Sequence, residues 1–185
     1  LQNRENLNLI LAHKKGKLVK QAPDAYGLEG SPHYYFVHAY NCIYECEYCY
    51  LQGYFNSPDI VIFTNRDEIQ NQIIETYNQH QNEDEIWFHA GEFSDSLALS
   101  HITQECEFYW EVFSKLPKAK LELRTKSANI KSLKNLKPQP NVIVSYSLSP
   151  EFQLKSYDRK TATYKQRIKC VKELSELGHP VGLHL

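Results

Sequence analysis

Methionine is missing from all 185 residues, the first position included. The last run, Pro180-Val-Gly-Leu-His-Leu185, reads as a strand, and the two features together predict a piece of a longer chain. No apolar stretch approaches the ~20 residues of a membrane-spanning helix, so no membrane association is expected. The opening Leu1-Gln-Asn-Arg-Glu-Asn6 has none of the pattern of a secretory signal. An excess of either charge is also lacking. Lys+Arg number 21 and Asp+Glu 22, a net charge of −1, so any nucleic-acid contact has to be a local patch. Cysteines number only five, an odd count that speaks against a disulfide framework and for a reduced, cytoplasmic protein. No internal repeat is visible. What is present is ordinary globular material, 42% hydrophobic and 23% charged, with length for one domain.

Read in order, the chain alternates. Residues 1–12 read as a short helix carrying Leu7, Leu9, Ile10 and Leu11. A stretch with four lysines, 13–20, reads as a solvated arm, and 21–32 as a Pro/Gly loop. Residues 33–40 are aromatic and β-favouring. Helical periodicity follows over 67–79, 106–116 and 161–177, with a shorter helix at 130–136 stopped by Pro138 and Pro140. Strand patterns occupy 85–90, 120–125, 142–148 and 180–185. Strict β–α alternation means parallel strands with helical crossovers. The expected fold class is therefore α/β, with an N-terminal extension over 1–32 and one domain over 33–185. Ligands of such sheets bind beyond the C-terminal strand ends.

The first strand runs into Asn41-Cys-Ile-Tyr-Glu-Cys-Glu-Tyr-Cys-Tyr50, where Cys42, Cys46 and Cys49 fall in a C-x3-C-x2-C spacing. Thiolates are the usual ligands of iron–sulfur clusters, four to a cluster. Three, with no fourth nearby, leave one iron open. Two plainer readings stand beside this one. The positions i, i+4 and i+7 share a helix face and would suit a buried cysteine stripe. A zinc site completed by His33 or His38 is the other.

The spacing resembles the signature of radical S-adenosylmethionine (radical SAM) enzymes. The wider run Cys42-x3-Cys46-x-Tyr48-Cys49-Tyr50-Leu-Gln resembles their spore photoproduct lyase branch. This resemblance extends over roughly residues 20–185. It implies a partial (β/α)6-type barrel, here running out after the fifth strand. It implies a [4Fe-4S] cluster on Cys42, Cys46 and Cys49, with S-adenosylmethionine chelating the open iron and yielding a 5′-deoxyadenosyl radical. It also implies repair of a thymine lesion in DNA and an external electron donor of flavodoxin or ferredoxin type. A monomer is expected.

The segment after the second strand, Ala90-Gly-Glu-Phe-Ser-Asp-Ser96, resembles the family's Gly-Gly-Glu motif and places Glu92 and Ser94 at the cofactor, with Asp95 either supporting them or capping a helix. The resemblance assigns Lys126 to the cofactor carboxylate in preference to Arg124, and Ser147 to a cofactor hydrogen bond. It gives Tyr48 and Tyr50 a part in the hydrogen-atom relay. The family's thiol donor has no counterpart, because its position falls on Glu92. Cys106 and Cys170 lie in expected helices, away from the site. A radical SAM enzyme with a non-DNA substrate, or a non-enzymatic metal-binding nucleic-acid module, is therefore kept as an alternative. Seven of the 13 tyrosines lie between Tyr34 and Tyr54, suited to stacking bases, relaying a radical or packing a wall.

Overall fold

The computed structural model describes residues 6–23 and 30–185. The first five residues of the expected N-terminal helix and positions 24–29 of the expected loop lie outside them. In chain order the strands are β1 (Leu9–Ala12), β2 (Val19–Gln21), β3 (His33–Phe36), β4 (Ala39–Tyr40), β5 (Glu45–Cys46), β6 (Ile60–Phe63), β7 (Ile86–Ala90), β8 (Ala119–Thr125), β9 (Val142–Ser147), β10 (Asp158–Arg159) and β11 (Val181–His184). The helices are α1 (Leu51–Tyr54), α2 (Arg66–Gln79), α3 (Ser100–Thr103), α4 (Glu105–Ser114), α5 (Glu151–Tyr157) and α6 (Tyr164–Glu176).

Six strands form the main sheet in the order β11-β9-β8-β7-β3-β2. From β3 to β11 every neighbour is parallel and follows in chain order, while β2 closes the other edge antiparallel to β3. Crossovers in one direction put the helices α2, α4 and α6 on one face. That face buries Phe36, Phe88, Leu121, Leu123, Val144 and Tyr146 against Ile69 and Ile73 of α2, Tyr109 and Phe113 of α4 and Leu174 of α6. The alternation of β-strand side chains sends the intervening residues to the opposite, helix-free face. These are His33 and Tyr35, Trp87 and His89, Glu122 and Arg124, Ser145 and Ser147, and His184. Tyr34 packs on the helix side and Tyr35 on the other, where it meets Phe93 edge-on.

The five expected parallel strands are present, and the mixed α/β class holds. Four local expectations do not, the first being the solvated arm at 13–20, whose end buries Leu18 and Val19 in the core and enters β2 because both side chains are apolar. Residues 9–12 are strand and not helix: their backbone pairs in parallel with β6, and Asp59 fixes the approach by accepting from both the amide and the side chain of Asn8. Leu7, Leu9 and Leu11 also satisfy a period of two, and the chance of sheet pairing decides between the periods. The expected helix at 130–136 shrinks to a single 3-10 turn, Leu133–Asn135, since a run this short before Pro138 gains too few hydrogen bonds to offset helix nucleation. The expected strand 33–40 breaks at Val37-His38: β3 stays in the main sheet while β4 turns into a second sheet, β1-β6-β4, whose core is Ala39, Ile60 and Ile62.

Candidate active site at the strand ends

The cysteine loop begins with a reversal. Asn41 sits in the left-handed region at φ 64°, a conformation asparagine tolerates. Its buried amide donates to the carbonyls of Ser57 (2.9 Å) and Asp59 (2.7 Å), tying both ends of the loop together. Cys46 is buried and Cys42 and Cys49 are half-buried, gathered with Tyr44, Ala98 and Ile43. The Tyr44 amide donates to Cys42 Sγ at 3.5 Å. Burial, followed by the Asp95 charge, holds the Cys42 thiol far above its ordinary range. Burial pushes the Cys46 thiol up to about 11, against the pull of the Lys126 ammonium.

Among the described residues no three His, Cys, Asp or Glu side chains are arranged around a single metal ion. A zinc ion requires its ligand atoms ~2.3 Å from one point when they are sulfur. A four-iron cube carries each thiolate on a different iron and spreads them wider. The donor set is three soft thiols packed in one cluster of side chains, with an N–H···S contact at Cys42 and the Lys126 ammonium acting on Cys46, and thiols of this kind are the usual ligands of iron–sulfur clusters.

The loop is also clamped from outside. β5 pairs antiparallel with β10, opposing Cys46 with Asp158 and Glu45 with Arg159. The Glu47 amide donates to the Tyr157 carbonyl at 2.9 Å. Lys160 Nζ lies 2.6 Å from Glu45 and Arg159 3.2 Å from Glu47. None of these partners was legible in the sequence. Behind them sits Arg167, wholly buried. Its Nε donates to the Ala162 carbonyl (2.9 Å), Nη1 to the Ser147 carbonyl (2.7 Å), and Nη2 to Asp158 Oδ2 (2.8 Å) and Thr161 Oγ1 (2.6 Å).

The remaining sequence candidates are placed as follows. The Tyr48 hydroxyl donates to Asp158 Oδ1, and the Lys126 ammonium lies 5.4 Å from the centroid of the Tyr48 ring. The Tyr50 hydroxyl donates to the Glu92 carbonyl at 2.7 Å, joining the cysteine loop to the end of β7. Glu92 is half-buried. Phe93, next to it, centres an aromatic group with Tyr35, Tyr40, Tyr50, Tyr54 and Phe55, all within 6.5 Å between centroids. Ser94 Oγ lies 3.3 Å from His38 Nε2, which also faces the buried Glu105 carboxylate at 3.5 Å. Asp95 Oδ1 accepts from the amides of Leu97 and Ala98 and from the Thr125 hydroxyl, and its Oδ2 accepts from the Lys126 amide. Its contacts are those of a capping and loop-joining residue. Cys106 and Cys170 are buried among the helices, the latter donating to the Ala128 carbonyl at 3.7 Å. Lys115 and Lys134 are held in ion pairs and Lys118 by the carbonyls of Gln81 and Glu83.

Below the strand ends, on the helix-free face, runs a polar chain. His33 Nδ1 lies 2.9 Å from His89 Nε2, His89 Nδ1 2.6 Å from Glu122 Oε2, and His184 Nε2 2.6 Å from Glu122 Oε1. Arg124 donates to the same carboxylate at 3.0 Å. Burial disfavours the Glu122 charge, but the His89 hydrogen bond and then Arg124 and His184 outweigh it and hold the carboxyl well below its ordinary range. An ionised carboxylate only accepts. His89 Nδ1 and His184 Nε2 are therefore the donors in these two contacts.

A family model described as spore photoproduct lyase matches residues 26–185. The spore photoproduct lyase of Bacillus subtilis (strain 168) is 26% identical over 153 residues, 82% of this chain and 44% of that one. Its counterpart in Geobacillus sp. (strain Y412MC61) is 23% identical over 145 residues, 78% and 42%. Two solved structures, a spore photoproduct lyase double variant with bound AdoMet and dinucleoside spore photoproduct and the lyase complexed with that dinucleoside, each superpose with a TM-score of 0.84 at 19% identity. Both matches cover 95% of this chain and 50% of the other, and they establish likeness of fold. The chain spans about half the length of the relatives it matches.

Proposed function

The chain belongs to the spore photoproduct lyase family, and on that premise we propose that it carries the catalytic barrel of a radical SAM enzyme that repairs a lesion in DNA in the cytoplasm. The observation that carries this reading is the convergence of Cys42, Cys46 and Cys49 with Lys126 beyond the ends of parallel strands of one sheet. In it, the main sheet is most of a (β/α)6-type partial barrel, and the three thiols hold a [4Fe-4S] cluster. When bound, the cluster, reduced by an external flavodoxin or ferredoxin, supplies the electron that cleaves S-adenosylmethionine to a 5′-deoxyadenosyl radical.

The chain's own residues bind and orient. Lys126 takes the cofactor carboxylate as a point charge. Glu92 and Ser94 take its ammonium, and Ser147 a further polar group. Gly91, at φ 80°, lets the backbone turn tightly enough to present them. Tyr50, hydrogen-bonded to the Glu92 carbonyl, and Tyr48 stand beside the thiols as relay residues. The aromatic group around Phe93 offers faces on which nucleobases stack.

Glu92 favours a second reading, in which the same machinery acts on a non-DNA substrate, since a carboxyl does not return a hydrogen atom as a thiol does. One assay separates the two. The iron-loaded, reduced protein is given S-adenosylmethionine alone, with undamaged oligonucleotide, or with an oligonucleotide carrying a spore photoproduct. Deoxyadenosine formation that requires the lesion supports DNA repair. Formation indifferent to DNA supports the second reading. No formation by fully loaded protein overturns both.

A further inference from the structure

Lys126 is fixed at its base. Its amide donates to Asp95 Oδ2 at 2.8 Å and its carbonyl accepts from the Ala162 amide at 3.3 Å. Its tip is another matter. A lysine stem has four rotatable bonds and a large entropy to lose before its ammonium can hold one position. Beside that tip lies the Tyr48 ring, 5.4 Å from centroid to Nζ. Tyr48 is 59% exposed, so packing does little to orient its ring. The hydroxyl does more: it donates to Asp158 Oδ1, and Asp158 Oδ2 accepts from Arg167, a pair with side-chain exposures of 2% and 0%. Arg167 is itself fixed by the carbonyls of Ala162 and Ser147.

A buried ion pair adds little stability over well-packed apolar residues of the same size. This one does something apolar residues could not. It leaves one carboxylate oxygen aimed at a hydroxyl beside the cysteine loop. We propose that Asp158 and Arg167 are positioning residues that hold the Tyr48 ring as a platform for the Lys126 ammonium, and so set where that cation meets the carboxylate of S-adenosylmethionine. The inference rests on the radical SAM reading above and adds two residues and a chain of action to it: Arg167 fixes Asp158, Asp158 fixes Tyr48, and Tyr48 fixes Lys126. Because Arg167 also holds the Ser147 carbonyl, one guanidinium sets cofactor-binding residues on two strand ends.

The test is a double-mutant cycle read by ligand binding. The full chain and its variants are loaded anaerobically with iron and sulfide, and affinity for S-adenosylmethionine is measured by equilibrium dialysis beside iron content and Tm. Tyr48→Phe keeps the ring and removes the hydroxyl that tethers it, and is expected to weaken binding about threefold to tenfold with iron content unchanged. Asp158→Asn is expected to do the same, and where it lowers Tm the phenylalanine variant carries the test alone. Lys126→Ala weakens binding further, and adding Tyr48→Phe to Lys126→Ala costs nothing more. Equal losses from Tyr48→Phe in both backgrounds, or none in the native one, would overturn the chain of action. A native protein that is fully iron-loaded yet binds no cofactor overturns the radical SAM reading, and the proposal with it.

Discussion

The two faces of the main sheet are made from the same strands and obey different physics. On one, Phe88, Leu121 and Val144 are fully buried against helices, and their contribution is area removed from water. On the other, His89, Glu122 and Ser145 are nearly as buried but satisfy one another through directed bonds. The apolar face tolerates any side chain of suitable volume. The polar face tolerates only groups with the right donors and acceptors, because an unmatched buried polar group costs its full desolvation. The strand ends that carry the cysteines and Lys126 rest on the second face, so the site inherits its exactness of placement and its fragility.

That contrast can be broken or sharpened by substitution. The largest effect is expected on the apolar face, where Phe88→Ala removes a fully buried ring and lowers stability by about 3–5 kcal/mol in chemical denaturation. Next is Glu122→Gln, which strips the charge from a carboxylate bonded to two histidines and Arg124 and lowers stability by about 2–3 kcal/mol at neutral pH. Its pH dependence separates it from a packing change. The folded-state pKa is depressed, so the contribution is complete above the ordinary glutamate value of about 4.3 and fades only as pH falls through the lower folded value. The gap between Glu122→Gln and native protein should be level from pH 7 to 5 and narrow below 4, whereas the Phe88→Ala gap should not narrow there. Gly91→Ala comes third, at about 2 kcal/mol: its φ is 80°, and an added Cβ would stand 2.6 Å from Ser96 Oγ and 2.9 Å from the Ser96 amide. The smallest is Thr163→Ala, which removes the capping box of α6 and costs about 1 kcal/mol by thermal unfolding.

The same contrast marks how far the sequence could be read. The apolar face shows in local periodicity, which is why β7, β8, β9 and the helices over them were legible to within a few residues. The cysteine spacing and the Gly-Glu segment were legible because each is contiguous. The polar face was not. His33, His89, Glu122 and His184 meet across separations of 33 to 62 residues, and no spacing rule links them. The burial of Arg167 depends on Asp158 and on the Ser147 carbonyl of another segment, which no local pattern in α6 reveals. β6 is only four apolar residues, a run too short to tell strand from helix by period, and it is the partner that makes β1 a strand.

The central claim is that three thiols here hold a cluster with one iron open to S-adenosylmethionine. The most direct measurement is the EPR spectrum of the anaerobically reconstituted, reduced protein with and without that cofactor. The account predicts a reduced [4Fe-4S] signal that changes when the cofactor is added and disappears in Cys42→Ala, Cys46→Ala or Cys49→Ala. A signal indifferent to the cofactor, or zinc bound without sulfide, would contradict it.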